Sequence, residues 1–510
     1  MSKPVSIRLG SSAEGQNLAE YLARAGHLLH ADCGGRGTCG KCRVKLLEGN
    51  LYDSPACTRM IAPDANGFVL ACRAWVCGGA TVLLPEQQGD GLVAFKAQTQ
   101  TQATPAPNQA KKLGIALDVG TTTLAAALVD LADGKVLRTA SALNVQVSFG
   151  ADVISRIGTI ANRPETLEQM QRALLSSVLD MINELAPGAQ ISRMIAAGNP
   201  TMLHVFCGIS PVGMGKYPFT PVFLDARTMT GAALGLPVDT VTCLPGISAF
   251  VGGDITAGML HVDLCASAQP ALLIDIGTNG ESVLFTGTEH GSRLYAASAA
   301  AGPAMEGAGI STGMGGVGGA VCAVRMQSGI PICSTVGDLP AKGICGSGLV
   351  DLVFALYQNG YLDETGAFER GDAFIYATAK DGTPLSLTQA DVRALQLCKS
   401  AIRASIDALC AHAHLVPEDL AHVYLAGGLG YYMNVESAIG IGLLPSAFHM
   451  RTQSVGNASL GGCVRALTNP ACIHTLQADA ARTQTLELST DAVWNQSFME
   501  HMTFPEKDEI

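Results

Sequence analysis

The sequence predicts an α/β protein with a small N-terminal domain, a flexible linker and a large C-terminal part made of two related halves. Three observations carry this. First, the 510 residues include 58 glycines and 48% apolar residues but only 5% aromatic ones, a balance suited to layered α/β domains with tight strand-to-helix turns. Second, "LGIALDVGTTTLAAALVDL" (113–131) and "ALLIDIGTNGESVLFTG" (271–287) repeat one pattern: apolar strand, Asp, apolar residue, Gly, Thr. Two copies so far apart point to two halves that face each other. Third, "FKAQTQTQATPAPNQAKK" (95–112) has no apolar periodicity and is rich in Gln, Thr, Ala and Pro, the composition of a tether. The resulting division is 1–86, 87–112 and 113–510.

Charge and hydropathy exclude some classes of function. A net charge of −11 without a Lys/Arg cluster argues against nucleic acid as a partner. The most apolar run, "YLAGGLGYYMNVESAIGIGLLP", is broken by Gly, Asn and Glu, and "MSKPVSIRLGSSAEGQ" lacks the apolar core of a signal peptide. No membrane partner and a cytoplasmic location are expected. Ten of the sixteen cysteines scatter singly beyond residue 200 in apolar surroundings and read as buried thiols of a reducing compartment.

The N-terminal domain reads as short strands, "VSIRL", "KCRVKLLEGN", "GFVLACRAWV" and "ATVLLP", with one helical stretch, "NLAEYLARAG". Its cysteines are grouped. Cys33, Cys39 and Cys42 crowd a loop rich in glycine, and Cys72 follows after a further 29 residues. A disulfide framework is not expected without a secretion signal. Structural zinc prefers paired C-x2-C knuckles, and here one such pair is present. A [2Fe–2S] cluster wants three thiolates in a Gly-rich loop plus a distant fourth, with glycines letting backbone N–H groups approach the sulfides. Cys57 and Cys77 compete with Cys72 for the fourth place. Cys72 is favoured because it ends the strand-like run "GFVLAC", which leaves Cys57 and Cys77 as spare thiols. "DCGGRGTCGKC" with "LACRAWV" resembles plant- and adrenodoxin-type ferredoxins, which implies a β-grasp fold for residues 1–86.

In the larger part, a strand ending in Asp-x-Gly-Thr places a carboxylate at the strand edge, before a tight turn. The turn's N–H groups and hydroxyls can hold phosphate oxygens while the carboxylate holds Mg²⁺ through water. Asp118, Gly120, Thr121 and Thr122 form the first such loop; Asp275, Gly277, Thr278 and Asn279 form the second. "VYLAGGLG" (423–430) supplies Gly427 and Gly428 as a turn against which an adenosine can lie, and "ICGSGLVD" (344–351) contributes Gly346 and Ser347 as a connecting segment. No G-x-x-x-x-G-K-[ST] occurs, so this is not a P-loop. Helical stretches "ETLEQMQRALLSSVLDMINEL" and "ADVRALQLCKSAIRASIDALCAHA" carry amphipathic spacing.

These loops together resemble the actin/sugar-kinase/Hsp70 ATPase superfamily, which implies duplicated RNase H-like α/β halves and binding of ATP with Mg²⁺. "FGADVISRI", "AAGNPTMLH", "VGGDITAGML", "AAGPAMEGAGI" and "GNASLGG" resemble one branch more closely, the ATP-dependent reductive activators of corrinoid proteins. Asp254 of "VGGDITAG" stands at the general-base position of related ATPases, against the plainer reading of a turn or helix cap. Glu281 and Glu306 could orient water. Larger members carry a middle domain between cluster and ATPase, and the short 95–112 segment predicts that this chain lacks it.

The resemblance implies an ATP-hydrolysing electron-transfer activator. One electron passes through the [2Fe–2S] cluster to the inactive Co(II) corrinoid of a methyltransferase system and reduces it to Co(I). Partners would be that corrinoid protein and a low-potential donor of ferredoxin or flavodoxin type; oligomeric state is left open, a homodimer among its options. Rival readings are an ATP-gated redox sensor and an activator of another low-potential radical enzyme. His204 reads first as a satisfied core histidine and Ser298 as a buried helix hydroxyl.

Overall fold

The computed structural model describes residues 6–10, 13–25, 27, 29, 37, 42–84 and 112–507. Cys33, Cys39 and the expected linker up to residue 111 lie outside the described residues. The N-terminal unit is a four-stranded sheet of β1 (Ser6–Leu9), β2 (Arg43–Gly49), β3 (Phe68–Leu70) and β4 (Ala80–Leu83), in the order β1-β4-β2-β3. Leu18 and Leu22 of helix Leu18–Arg24 enter its core with Val44 and Val82. The strand expected to run into Cys72 stops at Leu70, and Cys72 sits in a 3-10 turn, Ala71–Arg73. A second difference concerns the spare thiols: Cys57 and Cys77 are joined in a disulfide. Their partnership depends on the loop after β2 folding back on the segment before β4, a contact that sequence spacing does not announce.

The first lobe opens with an antiparallel meander, β5 (Leu113–Val119), β6 (Thr123–Asp130) and β7 (Val136–Leu143). β8 (Ile191–Gly198) then joins β5 in parallel; β9 (Arg227–Thr230) and β10 (Val238–Cys243) complete the order β7-β6-β5-β8-β10-β9. The second lobe repeats the plan. β11 (Ala271–Ile276), β12 (Gly280–Phe285) and β13 (Leu294–Ala299) form the meander. An insertion follows with β14 (Ala320–Gln327), β15 (Ile330–Thr335) and β16 (Gly343–Ile344) in one small sheet and β17 (Ala373–Thr378) and β18 (Pro384–Thr388) in another. β19 (His422–Ala426) then joins β11 in parallel, β20 (Thr452–Gly456) joins β19, and β21 (Gln484–Thr485) closes the far edge beside β13. β7-β6-β5-β8-β10 and β13-β12-β11-β19-β20 are the same layout, so the repeat seen in sequence is a duplication of fold.

Both central strands are covered on two faces, which is why they read as continuous apolar runs. Ile115, Leu117 and Val119 pack with Met170, Leu174 and Val178 of helix Thr166–Leu185, while Ala116 packs with Cys463 and Ala466 of helix Ala458–Thr468. In the second lobe Leu272, Ile274 and Ile276 share a core with Ile402 and Ile406 of helix Gln389–Ala413, and Leu273 meets Ile255 and Met259 of helix Gly253–His261. Residues 501–505 lie back on the second lobe. Lys399 Nζ, fully buried, donates to the carbonyls of His501 (2.5 Å) and Thr503 (2.6 Å), and Gln396 donates to Met502 (2.7 Å). Burial pushes the Lys399 ammonium down to about 7. Among the described residues no helix is long and apolar enough to cross a membrane.

Candidate functional site

Strands β5 and β11, each parallel to one neighbour in its own sheet, bring Asp118 and Asp275 to their C-terminal ends, the edge where open α/β sheets bind ligands. Asp118 accepts hydrogen bonds from Asn457 Nδ2 (2.7 Å) and Ser459 Oγ (2.8 Å). Asn457 also caps helix Ala458–Thr468 by accepting from the Leu460 N–H (2.7 Å), so one side chain fixes both the helix and the carboxylate. Burial raises the Asp118 pKa, and those two donors oppose the rise.

Behind Asp118 the first loop is held by its backbone. Arg156, fully buried in helix Val153–Asn162, donates through Nη2 to the Thr121 carbonyl (2.6 Å) and through Nε to that of Gly150 (2.9 Å). Asn144 Nδ2 donates to the Gly120 carbonyl (2.8 Å), and Asn199 Nδ2 to Thr121 Oγ1 (2.9 Å). A Cβ on Gly120 would lie 2.4 Å from the Thr123 carbonyl oxygen, so the turn requires glycine. Thr122 Oγ1 turns to Glu306 Oε2 at 3.4 Å.

The second loop is built differently. The Gly277 N–H donates to the Asn279 carbonyl (3.0 Å), and Thr278 Oγ1 donates to Glu306 Oε2 (2.7 Å). Register pairs Asp275 with Glu281 on β12 and with Ala426 on β19. Burial, then Asp254, Asp118 and Glu306, push the Asp275 carboxyl up to about 7. Asp254, in the first turn of helix Gly253–His261, is likewise pushed to about 7, by burial and then by Asp118. Glu281 is raised well above its ordinary value by burial and by the charges of Asp254 and Asp275. Repulsion among these carboxylates is what a divalent cation would relieve.

Gly427 and Gly428, expected in a turn, begin a short helix, Gly427–Tyr432. Gly427 has φ +89°, and a Cβ there would lie 2.7 Å from Asp275 Oδ1; Gly428 faces open space. Gly346 starts helix Gly346–Gln358, where a Cβ would meet the Met305 carbonyl at 1.9 Å. Ser347 is buried and donates to the Cys322 carbonyl (2.8 Å), which leaves its hydroxyl facing protein and the helix start as its contribution.

His204 is a satisfied core residue. Nδ1 lies 2.6 Å from the Pro200 carbonyl and Nε2 accepts from the Val222 N–H (3.0 Å). Burial lowers its pKa. Ser298 lies on β13 opposite Glu281, on a strand where a helix was expected. Sequence reasoning passed over Arg156, Asn144, Asn199, Asn457 and Ser459. Asn199 and Asn457 have a local signal, Asn before a helix start in "GNPT" and "GNAS"; the segments that carry the family resemblance include Arg156 and Ser459 without assigning them a role.

In the N-terminal unit, the Ala71 N–H donates to the Cys42 carbonyl (2.8 Å) and Asn17 Nδ2 to that of Cys72 (3.0 Å), which sets Cys42 and Cys72 on adjoining backbone. Gly37, inside the Cys33–Cys42 loop, has φ +75°, and a Cβ there would lie 2.8 Å from the Arg73 side chain. Gly37 thus packs against the turn that carries Cys72, a placement that fits a cluster held by Cys42 and Cys72.

Comparison with known proteins adds the family. Residues 10–77 match the description "2Fe-2S iron-sulfur cluster binding domain", 113–267 "RACo middle region", and 269–510 "C-terminal domain of RACo the ASKHA domain". The middle region expected to be missing is therefore present and forms the first lobe. A relative described as corrinoid activation enzyme RamQ, from Eubacterium limosum, is 34% identical over 77% of this chain and 70% of its own. A [Co(II) methylated amine-specific corrinoid protein] reductase from Methanosarcina barkeri is 26% identical over 68% of both chains. The solved structure of a reductive activator for corrinoid iron–sulfur protein superposes with TM-score 0.71 at 28% identity, covering 97% of this chain and 96% of that one.

Proposed function

We propose, from the premise that the chain belongs to the family of reductive activators of corrinoid proteins, that it uses ATP to reduce the Co(II) corrinoid of a methyltransferase partner to Co(I). The observation that carries the reading is the meeting of Asp118 and Asp275 at corresponding strand ends of two duplicated lobes, in a chain whose N-terminal unit places Cys42 beside Cys72.

Cys33, Cys39, Cys42 and Cys72 are the thiolates that would hold a [2Fe–2S] cluster, and the cluster supplies a one-electron store when bound. Gly37 packs against Arg73 of the Cys72 turn. Gly120, Thr121, Thr122, Gly277, Thr278 and Asn279 offer N–H groups and hydroxyls to phosphate oxygens. Asp118 and Asp275 are the carboxylates for Mg²⁺, Asp254 the general base, and Glu281 a group that orients water. Gly427 and Gly428 leave room for adenosine, and Gly346 and Ser347 start the helix behind it. The working units are 1–86, 87–112 and 113–510, acting in the cytoplasm with a low-potential donor of ferredoxin or flavodoxin type.

Reduction to Co(I) is uphill from ordinary donors. A protein shifts such an equilibrium only by binding one redox or nucleotide state more tightly than another, so nucleotide in the cleft must change how the lobes hold the partner. The test is direct: with a chemical reductant, Mg-ATP and a Co(II) corrinoid protein from the same cell, the Co(I) absorption should appear. It should not appear without ATP, nor with residues 1–86 removed. Co(I) forming equally well without ATP would leave the redox-sensor reading in its place.

A further inference from the structure

Glu306 stands at the end of a stiff turn. Pro303–Glu306 is a 3-10 turn between Gly302 (φ +84°) and Gly307 (φ +77°), and its Ala304 and Met305 side chains are buried in the second lobe's core. A Cβ on Gly307 would lie 2.4 Å from the Met314 carbonyl, and one on Gly346 1.9 Å from that of Met305, so the backbone on either side is closely packed. From this turn the Glu306 carboxylate reaches the two Asp-x-Gly-Thr loops. There one oxygen, Oε2, takes the hydroxyls of both loops: Thr278 of its own lobe at 2.7 Å and Thr122 of the opposite lobe at 3.4 Å.

Those two hydroxyls belong to the Asp-x-Gly-Thr turns assigned above to phosphate. A carboxylate oxygen and a phosphoryl oxygen are both anionic acceptors, and each hydroxyl has one proton to give. Both donors cannot serve Glu306 and a phosphate at once. Arg156, whose charge reaches Glu306, is held by backbone carbonyls behind the first loop.

We infer that Glu306 is an internal stand-in for the nucleotide's terminal phosphate: it bridges Thr122 and Thr278, and the incoming phosphate displaces it. The inference rests on the reading of these loops as the phosphate site. It makes Glu306 a residue that sets affinity for the phosphate chain and not for the nucleoside. After hydrolysis its return to the two hydroxyls would help the cleft to release its products.

The test is calorimetric titration of the full-length protein in Mg²⁺ with AMPPNP and, separately, with adenosine, for wild type, Glu306→Gln and Glu306→Ala. Both variants should bind AMPPNP about tenfold more tightly, the scale of one pKa unit of interaction, while adenosine affinity stays unchanged. AMPPNP affinity that is unchanged or weaker, with adenosine binding intact, would overturn the proposal and make Glu306 a group that holds the bound complex. Loss of adenosine binding in both variants would also overturn it, because the carboxylate would then be a structural tie between the loops. Failure of the wild type itself to bind either probe would strike the nucleotide-site reading instead.

Discussion

The two aspartate loops share a sequence pattern, a strand position and a sheet order, yet they are supported in opposite ways. Asp118 is fixed before any ligand arrives: two side chains donate to its carboxylate, and Arg156, Asn144 and Asn199 grip the turn behind it. Among the described residues no hydrogen bond reaches the Asp275 carboxylate, and its loop leans on Glu306 through Thr278. Duplication has preserved the layout and divided the labour. One half presents a carboxylate held by two donors; the other presents one whose pKa burial and neighbouring carboxylates raise.

The largest effect should come from removing either carboxylate. Asp118→Ala and Asp275→Ala should each lower Mg-ATP hydrolysis by at least about a hundredfold while leaving the cluster's visible spectrum unchanged. Full turnover in one of them would break the comparison, because a single loop would then suffice. Next in size is the support of the first loop. Arg156→Met strands the Thr121 and Gly150 carbonyls and should cost about 3 kcal/mol in urea unfolding, whereas Thr278→Val in the second loop should cost about 1 kcal/mol or less. Asn457→Ala removes a helix cap as well as a donor to Asp118 and should cost about 1–2 kcal/mol.

The smallest effect is a slope. With its carboxyl raised from 3.8 to about 7, Asp275 keeps a proton in the folded chain that the unfolded chain has lost. Its contribution therefore makes stability fall as pH rises through that window, in the absence of Mg²⁺ and nucleotide. Asp275→Asn should flatten the slope more than Asp118→Asn does, because Asn457 and Ser459 already favour the charged form of Asp118. Equal flattening would erase the distinction between the loops.

Both loops were legible in the sequence because everything that defines them is local: an apolar strand, then Asp, then a glycine that the turn demands. The same holds for helices Thr166–Leu185 and Gln389–Ala413, whose periodicity survives without their neighbours. What was not legible is what reaches across the chain. Asn457 meets Asp118 from 339 residues away, and Arg156 looks like the polar face of an ordinary amphipathic helix. Cys57 and Cys77 read as spare thiols because a disulfide needs a loop geometry that spacing does not reveal. The middle region was overlooked because its first strand carries the same motif as the second lobe, so the two read as one unit.

The clamp on residues 501–505 also has a temporal side. Lys399 finds its first carbonyl partner, on His501, 102 residues further along the chain. At ordinary rates of synthesis the ribosome needs roughly five to twenty seconds to deliver that segment. Until then the ammonium has no backbone oxygens from that segment waiting for it, and sealing it in the core would leave a charge without those partners. Closure of the native core around Lys399 is therefore completed only once residues 501–503 have been made.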